Sequence, residues 1–111
     1  MLKMIKKILN RSMNNKEISY QTAKQIINEN QDTILLDVRS KQEYEEGHLP
    51  GSVSLCLYDI EEKAPNLLTD KKQTIITYCS SGGRSKEAQE MLEAMGYENV
   101  YSLKGGLDSL N

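Results

Sequence analysis

The features that most constrain this chain are two runs of β-branched and aliphatic residues on consecutive rather than alternate positions. One is Thr33 to Val38; the other is Gln73 to Tyr78, with Thr74-Ile75-Ile76-Thr77 at its centre. A strand with one wet face alternates apolar and polar residues. A strand that is apolar throughout must be covered on both faces, as in parallel sheets. Parallel neighbours also need crossover connections, and helical patterns stand between these runs to provide them. The expected fold is an α/β domain with a mostly parallel, doubly covered sheet.

The helical patterns can be placed from their caps and apolar spacing. Ser19 can cap a helix with Tyr20, Ala23, Ile26 and Ile27 as its buried stripe, ending near Asn28 to Asn30. Ser40 and Glu43 form a capping-box pattern opening a short helix through Tyr44, which Gly47 can close. Pro50-Gly51 marks a turn, Ser52 to Leu57 a strand, and Asp59 to Lys63 a helical turn expected to stop before Pro65. From Ser85, residues Ala88, Met91, Leu92 and Met95 predict an amphipathic helix ended by Gly96. Val100 to Leu103 reads as a last strand, followed by Gly105-Gly106 and a terminal helical turn.

A length of 111 residues allows one hydrophobic core. With no Phe or Trp, that core must be built from Ile, Leu, Val, Met and Ala. Lys and Arg total 14 against 16 acidic residues, a balance that argues against a general nucleic-acid binder. The charge is uneven. Lys3, Lys6, Lys7, Arg11 and Lys16 give residues 1–16 a charge of +5, so a whole-chain charge of −2 leaves −7 on the remainder. The chain divides accordingly into a basic amphipathic extension, residues 1–16, and a domain, residues 17–111. Leu2, Ile5, Ile8 and Leu9 lie at helical spacing within the extension. Its preferred reading is a lightly docked segment, and the alternative is a helix resting on an anionic membrane or a partner.

Lys3, Lys6 and Lys7 interrupt every apolar run near the start, so no secretory signal is expected, and no stretch is long enough to span a membrane. Cys56 and Cys79 are too few for a disulfide framework and fit no zinc spacing. A reducing, cytoplasmic setting and a site without metal or organic cofactor are the expectations.

The chemistry concentrates in Cys79-Ser80-Ser81-Gly82-Gly83-Arg84-Ser85, between the strongest strand and a helix start. Ligands of open α/β sheets bind beyond the carboxyl ends of strands, where a helix N-terminus offers free N–H groups. Paired glycines allow successive N–H groups to turn inward, and Arg84 adds a forked cation. These residues form an anion-binding nest around a thiolate nucleophile. An inert, buried Cys79 is the competing reading; it leaves Arg84 unexplained, because a cation at a helix N-terminus opposes the dipole.

Four ordered stretches resemble a single-domain rhodanese, a sulfurtransferase. They are Leu36-Asp37-Val38-Arg39; Glu43-Tyr44 with Gly47-His48-Leu49-Pro50-Gly51-Ser52; Tyr78-Cys79 through Arg84-Ser85; and Gly96-Tyr97 with Asn99-Val100-Tyr101 and Gly105-Gly106-Leu107. The resemblance covers about residues 17–110. It implies a rhodanese-like three-layer domain with a mostly parallel, five-stranded sheet flanked by helices. It also implies a persulfide on Cys79, with Ser80, Ser81, Gly82, Gly83, Arg84 and Ser85 binding the substrate anion. The reaction it implies moves sulfane sulfur from thiosulfate or a persulfide donor to cyanide or a thiol acceptor, a protein thiol included.

Other positions receive quieter roles. Asp37 and Arg39 are read as a supporting structural pair, and His48 as structural. Cys56 stands where many members have proline and is read as a buried thiol on a strand. The family's usual tryptophan after the paired glycines is absent, with Leu110 nearby. Two alternatives stay open: a cysteine-dependent phosphatase or arsenate reductase of the same fold, and a non-catalytic binding module.

Overall fold

The computed structural model describes residues 16–110. The expected helix over Met1 to Met13 lies outside the described residues. The elements are β1 (Glu17–Ile18), α1 (Tyr20–Glu29), β2 (Ile34–Asp37), α2 (Lys41–Glu45), β3 (Val53–Ser54), α3 (Ile60–Leu67), β4 (Thr74–Tyr78), α4 (Gly83–Ala94) and β5 (Asn99–Leu103). Short 3-10 turns occupy Leu57–Asp59 and Leu107–Leu110. The strands form one five-stranded sheet in the order β1-β5-β4-β2-β3, with every pairing parallel.

The consecutive apolar runs occupy the centre of this sheet for the reason their pattern requires. All five residues of β4 are buried, and alternate side chains feed two separate cores. On one face Leu36, Val38, Ile75 and Val100 meet Ile60 and Ala64 of α3 and Ala88 and Leu92 of α4. On the other, Ile76, Tyr78, Tyr101 and Leu103 meet Ala23 and Ile26 of α1. Helices thus cover both faces of the sheet, giving three layers.

Strand order places the site. From the adjacent strands β2 and β4 the sheet grows in opposite directions, outward to β3 on one side and to β5 on the other. Connections leaving their carboxyl ends therefore diverge and open a crevice between them, the usual ligand position in such sheets. Cys79 immediately follows β4 at this point.

Several local expectations are corrected. The edge strand β1 has only two residues and no periodicity to reveal it; Ser102 N–H donates to the Lys16 carbonyl at 2.8 Å, so the edge pairing begins at Lys16. Tyr20 is 39% exposed, outside the buried stripe formed by Ala23 and Ile26. The strand expected over Ser52 to Leu57 is reduced to Val53–Ser54 because the chain tightens into the 3-10 turn at Leu57. Helix α3 runs through Pro65 to Leu67 instead of stopping before it. Proline's fixed φ suits a helix, and its missing N–H spares only the carbonyl of exposed Glu61, while Leu68 N–H still closes on Ala64 at 2.7 Å. Helix α4 begins at Gly83, two residues before the expected Ser85, so part of the loop is the helix's first turn.

Candidate active site

Helix α4 supplies the N–H groups that meet the thiol. Gly82 is its N-cap with φ +111°, a left-handed conformation that directs its own N–H onto Cys79 Sγ at 3.1 Å. Ser85 N–H donates to the same sulfur at 3.4 Å, and Ser85 Oγ lies 3.7 Å away. Burial would push the Cys79 thiol up. Against that, the Ser85 N–H, the hydrogen bond with the Ser85 hydroxyl and the Gly82 and Ser81 amides hold it below its ordinary value. Cys79 is 1% exposed, so the loop encloses it.

A buried polar network fixes Ser85. Its Oγ donates to the Gly82 carbonyl at 3.1 Å and accepts from Ser102 Oγ at 2.8 Å, while Thr77 Oγ1 donates to the Ser85 carbonyl at 2.8 Å. Thr77 and Ser102 are polar residues buried completely within β4 and β5, the sequence signal of this role. The rear of the loop is held by the last motif. Leu107 N–H donates to the Cys79 carbonyl at 2.9 Å and Asp108 N–H to that of Ser80 at 2.8 Å. A Cβ at Gly106 would lie 2.6 Å from the Ser80 carbonyl oxygen, so only glycine admits this approach.

Arg84 is not an unmatched cation. Its Nη1 donates to Glu43 Oε1 at 2.7 Å and its Nη2 to Oε2 at 3.1 Å, a fork-to-fork pair between α4 and α2. Ser80 Oγ joins the cluster, accepting from Arg84 Nη2 at 3.4 Å. The hydrogen bonds from Arg84, followed by the capping contact with the Ser40 backbone, hold the Glu43 carboxyl at about 2. Beyond its place in the family motif, the sequence marks Glu43 as the partner in a capping box, which it also is: Ser40 N–H donates to Oε1 at 3.0 Å.

The remaining candidates separate clearly. Ser81 is exposed and Ser80 half-buried at the mouth of the cradle, whereas Gly82 and Ser85 are buried and Gly83 is exposed in the first helical turn. Asp37 and Arg39 form a buried pair with Nη2 to Oδ2 at 2.8 Å, and Arg39 Nη2 also donates to the Gly47 carbonyl. Their bonds tie the end of β2 to the turn after α2. His48 is exposed, stacked on Tyr44 at 3.7 Å between ring centroids. Cys56 is neither on a strand nor buried: it precedes the Leu57–Asp59 turn and is half-exposed, because its neighbours Leu55 and Leu57 take the core positions.

A model of the rhodanese-like domain matches residues 19–111. The chain belongs to the rhodanese-like family. Among curated rhodanese relatives, thiosulfate sulfurtransferase PspE of Escherichia coli is 33% identical over 75 residues, covering 68% of this chain and 71% of that protein. Thiosulfate sulfurtransferase GlpE of Coxiella burnetii is 30% identical over 94 residues, covering 85% of each. The solved structure described as a rhodanese with anions from E. coli is 33% identical, with a TM-score of 0.62 over 68% of this chain and 87% of that one. The domain also occurs inside larger proteins: a tRNA uridine(34) hydroxylase of Buchnera aphidicola is 30% identical over 95 residues, but the match covers only 30% of it. On these relatives the protein is a rhodanese-like sulfurtransferase.

Proposed function

We propose that Cys79 carries sulfane sulfur between a donor, thiosulfate or a persulfide, and an acceptor, cyanide or a thiol. The observation that supports this reading is the convergence of the Gly82 and Ser85 N–H groups on Cys79 Sγ. These donors favour a thiolate and then stabilise the anionic sulfur bonded to it.

The thiolate attacks the outer sulfur of thiosulfate, forming the Cys79–S–S⁻ persulfide as the donor's S–S bond breaks and its electron pair leaves with sulfite. Cyanide or a thiolate then attacks the outer persulfide sulfur, leaving as thiocyanate or a new persulfide and restoring the Cys79 thiolate. Neither half reaction requires a proton to move, so no general base need face Cys79. That suits a site where His48 stacks on Tyr44 and Asp37 is occupied by Arg39.

The loop also bears on the phosphatase alternative. Four residues lie between Cys79 and Arg84, one fewer than in related phosphatases of this fold. A shorter ring of amides fits one added sulfur better than a phosphoryl group with three oxygens to surround. Thiocyanate formation from thiosulfate and cyanide, assayed beside aryl phosphate hydrolysis, tests the assignment. The expected result is sulfur transfer that Cys79→Ser abolishes, with negligible phosphatase turnover. Robust aryl phosphate hydrolysis lost in Cys79→Ser would overturn it.

A further inference from the structure

Ser102 carries a hydroxyl where the core asks for an apolar side chain. It is completely buried in β5, two residues after Val100 and hence on the same face of the sheet, and it stands beside Thr77 of β4 in the parallel register. A buried hydroxyl is costly unless it is bonded, and these two reach different parts of one residue. Thr77 Oγ1 donates to the Ser85 carbonyl and so holds its backbone, whereas Ser102 Oγ meets the Ser85 side chain at 2.8 Å.

The direction of that contact follows from counting protons. Ser85 has one hydroxyl proton, and it goes to the Gly82 carbonyl at 3.1 Å, which can only accept. Ser102 is therefore the donor and Ser85 Oγ the acceptor. While Cys79 is a thiol it also donates to Ser85 Oγ, at 3.7 Å. Once that proton is lost to solvent, Sγ can only accept, and Ser85 keeps its contact by turning its own proton from the Gly82 carbonyl toward the sulfur. Had Ser102 been the acceptor, it would have taken up that proton. Among the described residues this is the one side-chain hydrogen bond of Ser102, so reversing it would leave the buried Ser102 proton without a partner.

We propose that Ser102 is a positioning residue for sulfur transfer: by donating to Ser85 Oγ it holds Ser85 as a donor to the anionic Cys79 sulfur, beside the N–H groups of Gly82 and Ser85. This rests on the sulfur-transfer reading and names a residue outside the loop that readies its nucleophile. No proton leaves either hydroxyl. The Ser85 proton changes acceptor by rotation about the Cβ–Oγ bond, and the bond received from Ser102 strengthens the one that Ser85 gives. The charged groups around the loop are otherwise engaged. Arg84 of α4 pairs with Glu43 of α2, Asp37 pairs with Arg39 at the end of β2, and Asp108 of the terminal turn meets Ser80 through its backbone N–H. Helix α3 contributes apolar Ile60 and Ala64 to the core that contains Cys79.

The test follows the Cys79 Cβ carbon resonance against pH by NMR, which reads ionisation of the thiol without a reagent having to enter the loop. Ser102→Ala should move the midpoint upward, so that at a fixed pH below it the thiolate fraction falls about three- to tenfold; the acid limb of the pH profile for thiocyanate release should move with it. Ser102→Thr keeps the hydroxyl and should restore both. In a Ser85→Ala background, Ser102→Ala should move the midpoint no further. An unchanged midpoint in a folded Ser102→Ala protein, or an equal shift with and without the Ser85 hydroxyl, would overturn the proposal. The unmodified protein gives a reading that needs no variant: the Ser102 Cβ resonance should titrate at the Cys79 midpoint, and a Ser102 resonance indifferent to that titration would also overturn it. Peptide mass analysis after exposure to thiosulfate or a small persulfide separates this inference from the reading beneath it. A Cys79 that gains no sulfur ends the sulfur-transfer reading and this inference with it, whereas a Cys79 that gains sulfur but whose midpoint ignores Ser102 ends the inference alone.

Discussion

Cys79 and Cys56 each stand just past the carboxyl end of a parallel strand, β4 and β3 respectively, yet their surroundings have little in common. Cys79 is enclosed by the first turn of a 12-residue helix and receives N–H groups from Gly82 and Ser85. Cys56 precedes a three-residue 3-10 turn and makes no side-chain capping bond to it. Position at a strand end is therefore not enough to make a reactive thiol. The glycine that turns an N–H inward and the helix that aligns a second one make the difference. The strands they follow, β3 and β4, are separated by β2 in the sheet.

The largest expected effect comes from exchanging each sulfur for oxygen. Cys79→Ser should reduce sulfur transfer to background, while Cys56→Ser should retain at least about half, since it removes a thiol outside the N–H cradle. Equal damage from both, measured as thiocyanate release, would mean that the thiols work together and would break the contrast. Next in size is Gly106→Ala, which drives a methyl group into the Cys79–Ser80 backbone. A cost of about 2–4 kcal/mol in unfolding free energy is expected, with a larger fractional loss of activity than of folded protein. Chemical denaturation beside the transfer assay checks it. A folded, fully active Gly106→Ala would show that the last motif does not support the cradle.

How much of this was legible in the sequence differs sharply between elements. Strands β2 and β4 and helix α4 declared themselves because their apolar patterns are long and their burial is two-sided or one-sided as the pattern demands. The loop was legible too, because Cys79 to Gly82 form one short stretch between a strand and a helix. What stayed hidden depends on distant partners. Glu43 satisfies a local cap so well that nothing in its neighbourhood points to Arg84, 41 residues away. Gly105-Gly106 reads as a turn until the approach of β5's exit loop to Cys79 is known. Pro65 misled for the opposite reason: a local rule about proline yielded to an exposed carbonyl and to the packing of Ile60, Ala64 and Leu68.

Smaller effects follow from pH. A thiol depressed by N–H donors should stay active at a pH below its ordinary value of 9.0, with transfer falling only as pH drops through the lowered value. A pH–rate profile whose acid limb sits at or above 9.0 would contradict the donor geometry. The Glu43 carboxyl, lowered from 4.5 to about 2, favours the folded state fully above pH 4.5, and this contribution is lost as pH falls toward 2. Acid unfolding of Glu43→Gln should therefore show a weaker dependence on pH across that interval than the unmodified protein. The smallest change is expected from deleting residues 1–15, which should leave folding and transfer intact. Loss of activity in the truncated protein would show that the segment is part of the working domain.

The contrast between the two thiols is tested most directly by peptide mass mapping after exposure to thiosulfate or a small persulfide, with free thiols blocked before digestion. One added sulfur on the peptide containing Cys79, none on the peptide containing Cys56, and removal of the added sulfur by cyanide is the result expected from a cradle built of Gly82 and Ser85 amides. Sulfur appearing on Cys56 alone, or Cys79 remaining unmodified with every donor, would contradict the account.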